Sequence, residues 1–293
     1  MRFATLEING RPTVVVVSSD MKNYCEVADV LPGFAGDMVD LIARMPAAPN
    51  LGLGAIERWQ PIAGKRVLAP INAPRKNIFC VGKNYHDHAK EFSQSGFDSS
   101  ADKSEVVPSL PIYFTKPWTT VIGEGADVSA FADVTSQLDY EVELAVVIGK
   151  SGRGISKADA LKHVWGYTII NDVTARDLQQ NHRQWFLGKS LDTFCPMGPW
   201  LVSADEVDSA NLSVRCWIND ELRQNANTSD LIFDIPTIIA TLSAGMTLHP
   251  GDVIATGTPA GVGIGFKPPK FLKAGDVMRL SIDHLGTLTN TVR

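Results

Sequence analysis

Short apolar or alternating runs, separated by Gly, Pro, Asn and Asp, dominate the chain, and most of them read as strands. RFATLEI and RPTVVVVS flank Asn9-Gly10, a strong hairpin signal. DMVDLIARM sets Met38, Leu41, Ile42 and Met45 at helical spacing. PAAPNLGLG is a loop, KRVLAPI begins another strand, and NAPRKN breaks the pattern. These segments predict a small unit over residues 1–74 and a larger one over 75–293. In the larger unit NIFCVG, PIYFTKP, EVELAVVIG, WGYTIIND, PWLVSA, SVRCWIND and GDVIATG predict strands. TARDLQQNHRQWF predicts a helix, as does DIPTIIATLSA, with Ile235, Ile238, Ile239 and Leu242 on one face. DVMRLSIDHLGTLTNTV predicts a closing hairpin around Leu285-Gly286. Regular βαβ alternation is missing, so the expected class is a β-rich α+β protein with mixed or antiparallel sheets. SQSGFDSSADKSEVVPSL, between two strands, is long and polar, the mark of a functional cover or of disorder.

Composition narrows the function. A net charge of −5 and a pI near 5.7 leave no basic footprint for nucleic acid. No apolar run reaches the ~18 residues of a membrane span, and MRFATLEINGRP carries no apolar signal-peptide core. Cys25, Cys80, Cys195 and Cys216 form no CxxC pair, so reduced core cysteines and a cytoplasmic location are expected.

One stretch poses a physical problem. In LDYEVELAVVIGK, strand alternation puts Glu141 and Glu143 on one face, about 7 Å apart, followed there by Ala145 and Val147. A solvated face would stay polar, and a buried one needs its two like charges compensated. Either the strand end leaves the core, or the pair grips one hard cation. Asp172, where GYTIIND meets the next helix, is either an N-cap or a third oxygen ligand. Arg176, Gln179 and Arg183 at i, i+3 and i+7 form a donor-rich stripe, suited to an organic acid or else an exposed helix face. In GKNYHDHAKEF, His88 and Glu91 share a helical turn, as a base and the carboxylate that fixes its tautomer would. Lys189, between Gly188 and Ser190, is a surface cation or a charge directed at a carboxylate site. ATGTPAGVG presents backbone N–H groups and the Thr258 hydroxyl, but lacks the ending of a P-loop.

Taken in order, VGKNYHDHAKE, DYEVELAVVIGK, GYTIINDVTARDLQ, FLGKSLDTFCPMGPWLV and GDVIATGTPAGVG closely resemble the fumarylacetoacetate hydrolase family, from about residue 75 to the C-terminus. The resemblance implies a mixed β-sheet roll, usually a homodimer, with a small N-terminal accessory domain. It implies Mg²⁺ or Mn²⁺, with Ca²⁺ as a crystallographic substitute, on Glu141, Glu143 and Asp172. A catalytic His88–Glu91 dyad on a lid, Lys189 beside the metal, and Arg176, Gln179 and Thr258 on substrate are implied as well. The additional aspartate ligand of fumarylacetoacetase itself has no counterpart here, which points to the acylpyruvase-like branch. The expected reaction is hydrolytic C–C cleavage of a 2,4-dioxo acid. A decarboxylase, a ureidoglycolate lyase or a dienoic keto-acid isomerase are the enzymatic alternatives, and a non-catalytic metal-stabilised binding protein is the remaining one. Trp185 and Phe186 are expected in the pocket wall.

Overall fold

Asn9 and Gly10 both sit at positive φ, 52° and 74°, as a tight hairpin requires. They join β1 (Arg2–Ile8) to β2 (Arg11–Val17) in the computed structural model, which describes residues 1–46, 58–96 and 106–293. β3 (Asn23–Glu26), α1 (Val27–Val30), α2 (Met38–Arg44), β4 (Gln60–Pro61) and β5 (Arg66–Leu68) complete the N-terminal region. β6 (Ile78–Gly82), α3 (His86–Gln94), β7 (Ile112–Lys116), β8 (Val121–Ile122), β9 (Asp127–Val128) and β10 (Leu138–Asp139) follow. Next come β11 (Val142–Ile148), β12 (Val164–Asn171), β13 (Thr174–Ala175), α4 (Arg176–Asn181) and α5 (Phe186–Lys189). The remainder is β14 (Cys195–Ser203), β15 (Ser213–Ile218), β16 (Glu221–Asn227), α6 (Ile235–Ser243), β17 (Val253–Ala255), β18 (Val277–Ile282) and β19 (Gly286–Val292).

The main sheet runs β4-β3-β2-β1-β14-β12-β11-β17-β6-β7, with β5 on β1 and β8 on β14. β17–β6 and β14–β8 are parallel and the β11–β12 and β12–β14 ladders antiparallel, so the expected mixed β-rich architecture is present. A second sheet runs β16-β15-β18-β19-β9. No break in hydrogen bonding marks residue 74, because β1 pairs with β14; the division into 1–74 and 75–293 is kept as a proposal about folding units. The central strands are buried on both faces. Val142, Leu144, Val146 and Ile148 enter a core shared with Val214, Cys216 and Met278 of the second sheet. Ala145 and Val147 enter the opposite core, which Met38, Leu41 and Ile42 of α2 cover. Leu41 and Ile42 are fully buried, and each contributes about 1.5–3 kcal/mol by leaving water. The four cysteines are free and buried. No helix among the described residues is long and apolar enough to cross a membrane.

The helix expected through TARDLQQNHRQWF is broken in two. α4 ends at Asn181, Arg183 turns the chain at φ 59°, and α5 folds back. Gly188 makes the return possible: a Cβ there would stand 2.5 Å from Gln179 N and 2.6 Å from Ala175 O. Arg183 is therefore exposed and off the stripe, whereas Arg176 and Gln179 are buried. All of the PAAPNLGLG loop after Pro46 and the middle of the expected lid, within 47–57 and 97–105, lie outside the described residues.

Candidate active site

Strand pairing assembles the carboxylates. Val142 pairs with Asn171, the Asp172 N–H donates to Glu141 O at 2.9 Å, and Asn171 Oδ1 accepts from Glu141 N at 3.0 Å. Glu141 and Glu143 thus meet Asp172 from the end of the neighbouring strand, with one oxygen of each within 4.8 Å of the others. All three are buried, 4%, 1% and 0% exposed, so this strand end does not leave the core. Nor is Asp172 an N-cap: Ala175 holds that position, and both Asp172 oxygens accept from lysines.

Three buried cations answer most of the charge. Lys189 Nζ lies 2.9 Å from Glu141 Oε2 and 2.7 Å from Asp172 Oδ2. Lys116 Nζ takes Asp172 Oδ1 at 2.6 Å. Arg176 Nε donates to Asp139 Oδ2 at 2.9 Å, and its Nη2 lies 2.6 Å from Glu141 Oε1, a charge contact off the N–H axis. Burial alone would raise the Glu141 carboxyl, but Lys189 and Arg176 bring its pKa down to about 2. For Lys189, burial acts to lower the ammonium, and the Asp172 and Glu141 charges outweigh it, so its pKa is raised. Glu143 is different. Among the described residues it has no ion pair; it accepts from Gly257 N at 2.8 Å, and burial followed by the Asp172 and Glu141 charges pushes its pKa well above the ordinary value. Four buried carboxylates, Asp139 included, thus face three cations in this network. A cluster of oxygen donors with one uncompensated carboxylate fits a hard divalent cation.

Next to the cluster stands the dyad. α3 presents His88 and Glu91 from one turn, with Nδ1 3.1 Å from Glu91 Oε2. An ionised Glu91 selects the Nδ1–H tautomer and leaves the Nε2 lone pair free to take a proton. His88, Glu141, Glu143, Arg176, Gln179, Lys189 and Thr258 line one cavity, closed on its apolar side by Phe92, Phe114 and Trp185. Phe92 and Phe114 each meet Trp185 edge-on, whereas Phe186 is 47% exposed and does not line the wall. The cavity encloses about 20 Å³, room for roughly one water.

The structure thus brings His88, Glu91, Glu141, Glu143, Asp172, Arg176, Gln179, Lys189 and Thr258 together, but neither Arg183 nor Phe186. Gln179 Oε1 accepts from Arg176 Nη1 at 3.1 Å. The Thr258 hydroxyl donates to Val142 O at 3.0 Å and accepts from Gln224 Nε2 at 2.8 Å. The glycine-rich turn is no anion cradle open to a ligand, because its amides serve protein carboxylates: Gly257 serves Glu143, Gly261 serves Glu91, and Gly263 and Ile264 serve Asp139. Lys83, which lines the same cavity, and the buried Lys116, Asp139 and Gln224 are among the polar residues that sequence reasoning missed. A lysine closing the apolar run IYFTK was the one available signal.

Residues 77–293 match the family described as Fumarylacetoacetate (FAA) hydrolase C-terminal. The chain is 48% identical over 311 aligned residues, with 100% of both chains covered, to a Bacillus subtilis protein named Oxaloacetate tautomerase YisK. A fumarylacetoacetate hydrolase from psychrophilic Exiguobacterium antarcticum superposes with a TM-score of 0.86 at 41% identity, covering 100% of this chain and 99% of that one. Maleylpyruvate hydrolase from Sphingobium sp. SYK-6, solved with manganese(II) and pyruvate, superposes with a TM-score of 0.76 at 32% identity, covering 100% and 98%. With a buried acidic triad suited to a metal, this chain belongs to the fumarylacetoacetate hydrolase family of enzymes.

Proposed function

We propose that the protein interconverts the keto and enol forms of a 2-oxo dicarboxylic acid of the oxaloacetate class. The observation that carries this reading is the His88–Glu91 pair, which borders the same small cavity as the Glu141 and Glu143 carboxylates. The whole-length likeness to an oxaloacetate tautomerase supports it. A divalent cation, Mg²⁺ or Mn²⁺, held by Glu141, Glu143 and Asp172 would supply Lewis-acid polarisation of the 2-oxo group.

The chain's own residues do the rest. Arg176 and Gln179 orient a substrate carboxylate, and the ring of Trp185 excludes water. His88 Nε2 takes the proton from the carbon beside the 2-oxo group; the C–H bond breaks and the electron pair moves toward the oxygen. The imidazolium, steadied by Glu91, then returns the proton to that oxygen, so one C–H bond is exchanged for one O–H bond and no water is consumed. The Lys189 ammonium, held by Glu141 and Asp172, places positive charge beside the oxygen where negative charge develops. A homodimer and a cytoplasmic location belong to the same proposal.

A second reading keeps these residues for hydrolytic C–C cleavage of a 2,4-dioxo acid. Two observations favour it: the cavity beside His88 has room for a water, and a maleylpyruvate hydrolase shares the fold. The two readings separate in one assay. Loss of enol-oxaloacetate absorbance, accelerated by protein with Mn²⁺ and abolished by EDTA, without release of pyruvate, supports tautomerisation. Cleavage of an acylpyruvate panel without acceleration of the enol decay would overturn it in favour of the hydrolase.

A further inference from the structure

The loop after β17 holds three carboxylates that do different work. Its Gly257 amide takes Glu143 of the acidic triad, its Gly261 amide takes Glu91 Oε1 at 2.9 Å, and its Gly263 amide takes Asp139, the partner of Arg176. The loop is itself anchored: Gln224 Nε2 donates to Thr258 Oγ1 and Pro259 O, both at 2.8 Å, and Tyr140 OH donates to Gly261 O at 2.8 Å. Phe92 of α3 packs on Val262 and Ile264 of the same loop.

We propose that this loop positions the His88–Glu91 pair against the carboxylate triad, and that Gly265 is a positioning residue whose missing side chain forms the socket for the Glu91 carboxylate. A Cβ at Gly265 would stand 1.8 Å from Glu91 Oε1 and 2.3 Å from Glu91 Cδ. Gly265 is not at positive φ, so alanine fits its backbone, and the clash falls on the mobile end of one side chain. Gly261 differs: at φ 103°, with its Cβ position 1.9 Å from Arg223 O, a side chain there would break the loop. Glu91 divides its oxygens, Oε1 to the Gly261 amide and Oε2 to His88, so displacing the carboxylate removes both contacts together.

The inference rests on the reading of His88–Glu91 as the proton-transfer pair, and Gly265→Ala tests it. The expected result is a fall in kcat for keto–enol exchange of at least about tenfold, with KM and the Mn²⁺-induced rise in Tm unchanged. Glu91→Ala falls by a similar factor, and the double variant falls no further than Glu91→Ala alone, because both changes remove one interaction. A readout independent of turnover comes from ¹⁵N NMR of the imidazoles in metal-free protein. The wild-type His88 ring shows the Nδ1–H tautomer, and both single variants shift it toward a tautomer mixture. Unchanged His88 signals in Gly265→Ala, or losses that multiply in the double variant, would overturn the positioning role. Wild-type protein without keto–enol exchange, but with the expected His88 shifts, would overturn the reaction and leave the positioning intact.

Discussion

Lys116 Nζ lies 2.6 Å from Asp172 Oδ1, and neither side chain has any exposed surface. The same ammonium donates to Val173 O and Lys189 O, so it ties the end of β7 to the end of β12 and to α5. Leaving a buried charge wholly unpaired costs about 3–5 kcal/mol, but without Lys116 the Asp172 carboxylate still keeps Lys189, which it shares with Glu141. Lys116→Met is therefore expected to lose stability in metal-free urea titrations, by less than that cost. Part of the deficit returns with saturating Mn²⁺, because a bound cation answers the under-compensated charge and binding favours the folded state. An equal deficit with and without Mn²⁺ counts against a cation at Asp172.

Glu143→Gln is expected to behave in the opposite way. It removes the one triad carboxylate without an ion pair among the described residues, so the metal-free variant melts no lower than wild type. Its Mn²⁺-induced rise in Tm disappears along with turnover. Differential scanning fluorimetry with and without Mn²⁺ checks both halves. A variant that keeps the full rise shows that Glu143 does not hold the ion.

For His88→Ala, kcat for keto–enol exchange falls by about 10²–10⁴-fold, the usual contribution of a positioned acid–base group. The Mn²⁺ rise in Tm is retained, since His88 is outside the carboxylate triad. Any oxaloacetate decarboxylation survives, because loss of CO₂ needs no base. A parallel loss of exchange and decarboxylation removes the dyad from its assigned role.

A pH dependence arises away from the site. Burial raises the Glu124 carboxyl from 4.5 to about 7 against the opposing effect of the Thr289 amide, which donates to it at 2.6 Å. The folded state then holds a proton that the unfolded state releases, so stability falls as pH rises from about 4.5 to about 7 and levels off above. Discounted for its partial exposure, the effect is about 1–2 kcal/mol. Glu124→Gln keeps an acceptor for Thr289 and is expected to remove that part of the slope. Urea midpoints at pH 5 and 7.5 that differ equally in wild type and variant would refute the assignment.

Much of the fold and site was legible from local patterns. The Asn9-Gly10 hairpin, the α6 face of Ile235, Ile238, Ile239 and Leu242, and the shared face of Glu141 and Glu143 all follow from periods of two or 3.6 residues, which neighbouring residues alone set. The His88–Glu91 turn was legible for the same reason. The same logic overextended the helix after Asp172, since the turn at Arg183 and the close packing at Gly188 have no periodic signature.

Local order along the chain determined which acidic and basic groups exist and which side of a strand or helix each one takes. Tertiary structure alone decided what balances them. Lys116 reaches Asp172 across 56 residues, Arg176 reaches Asp139 across 37, and the Gly261 amide reaches Glu91 across 170. Strand pairing and loop closure bring these groups together, and a buried charge can be balanced only by what lies within a few ångströms of it in space, however far away it stands in the chain.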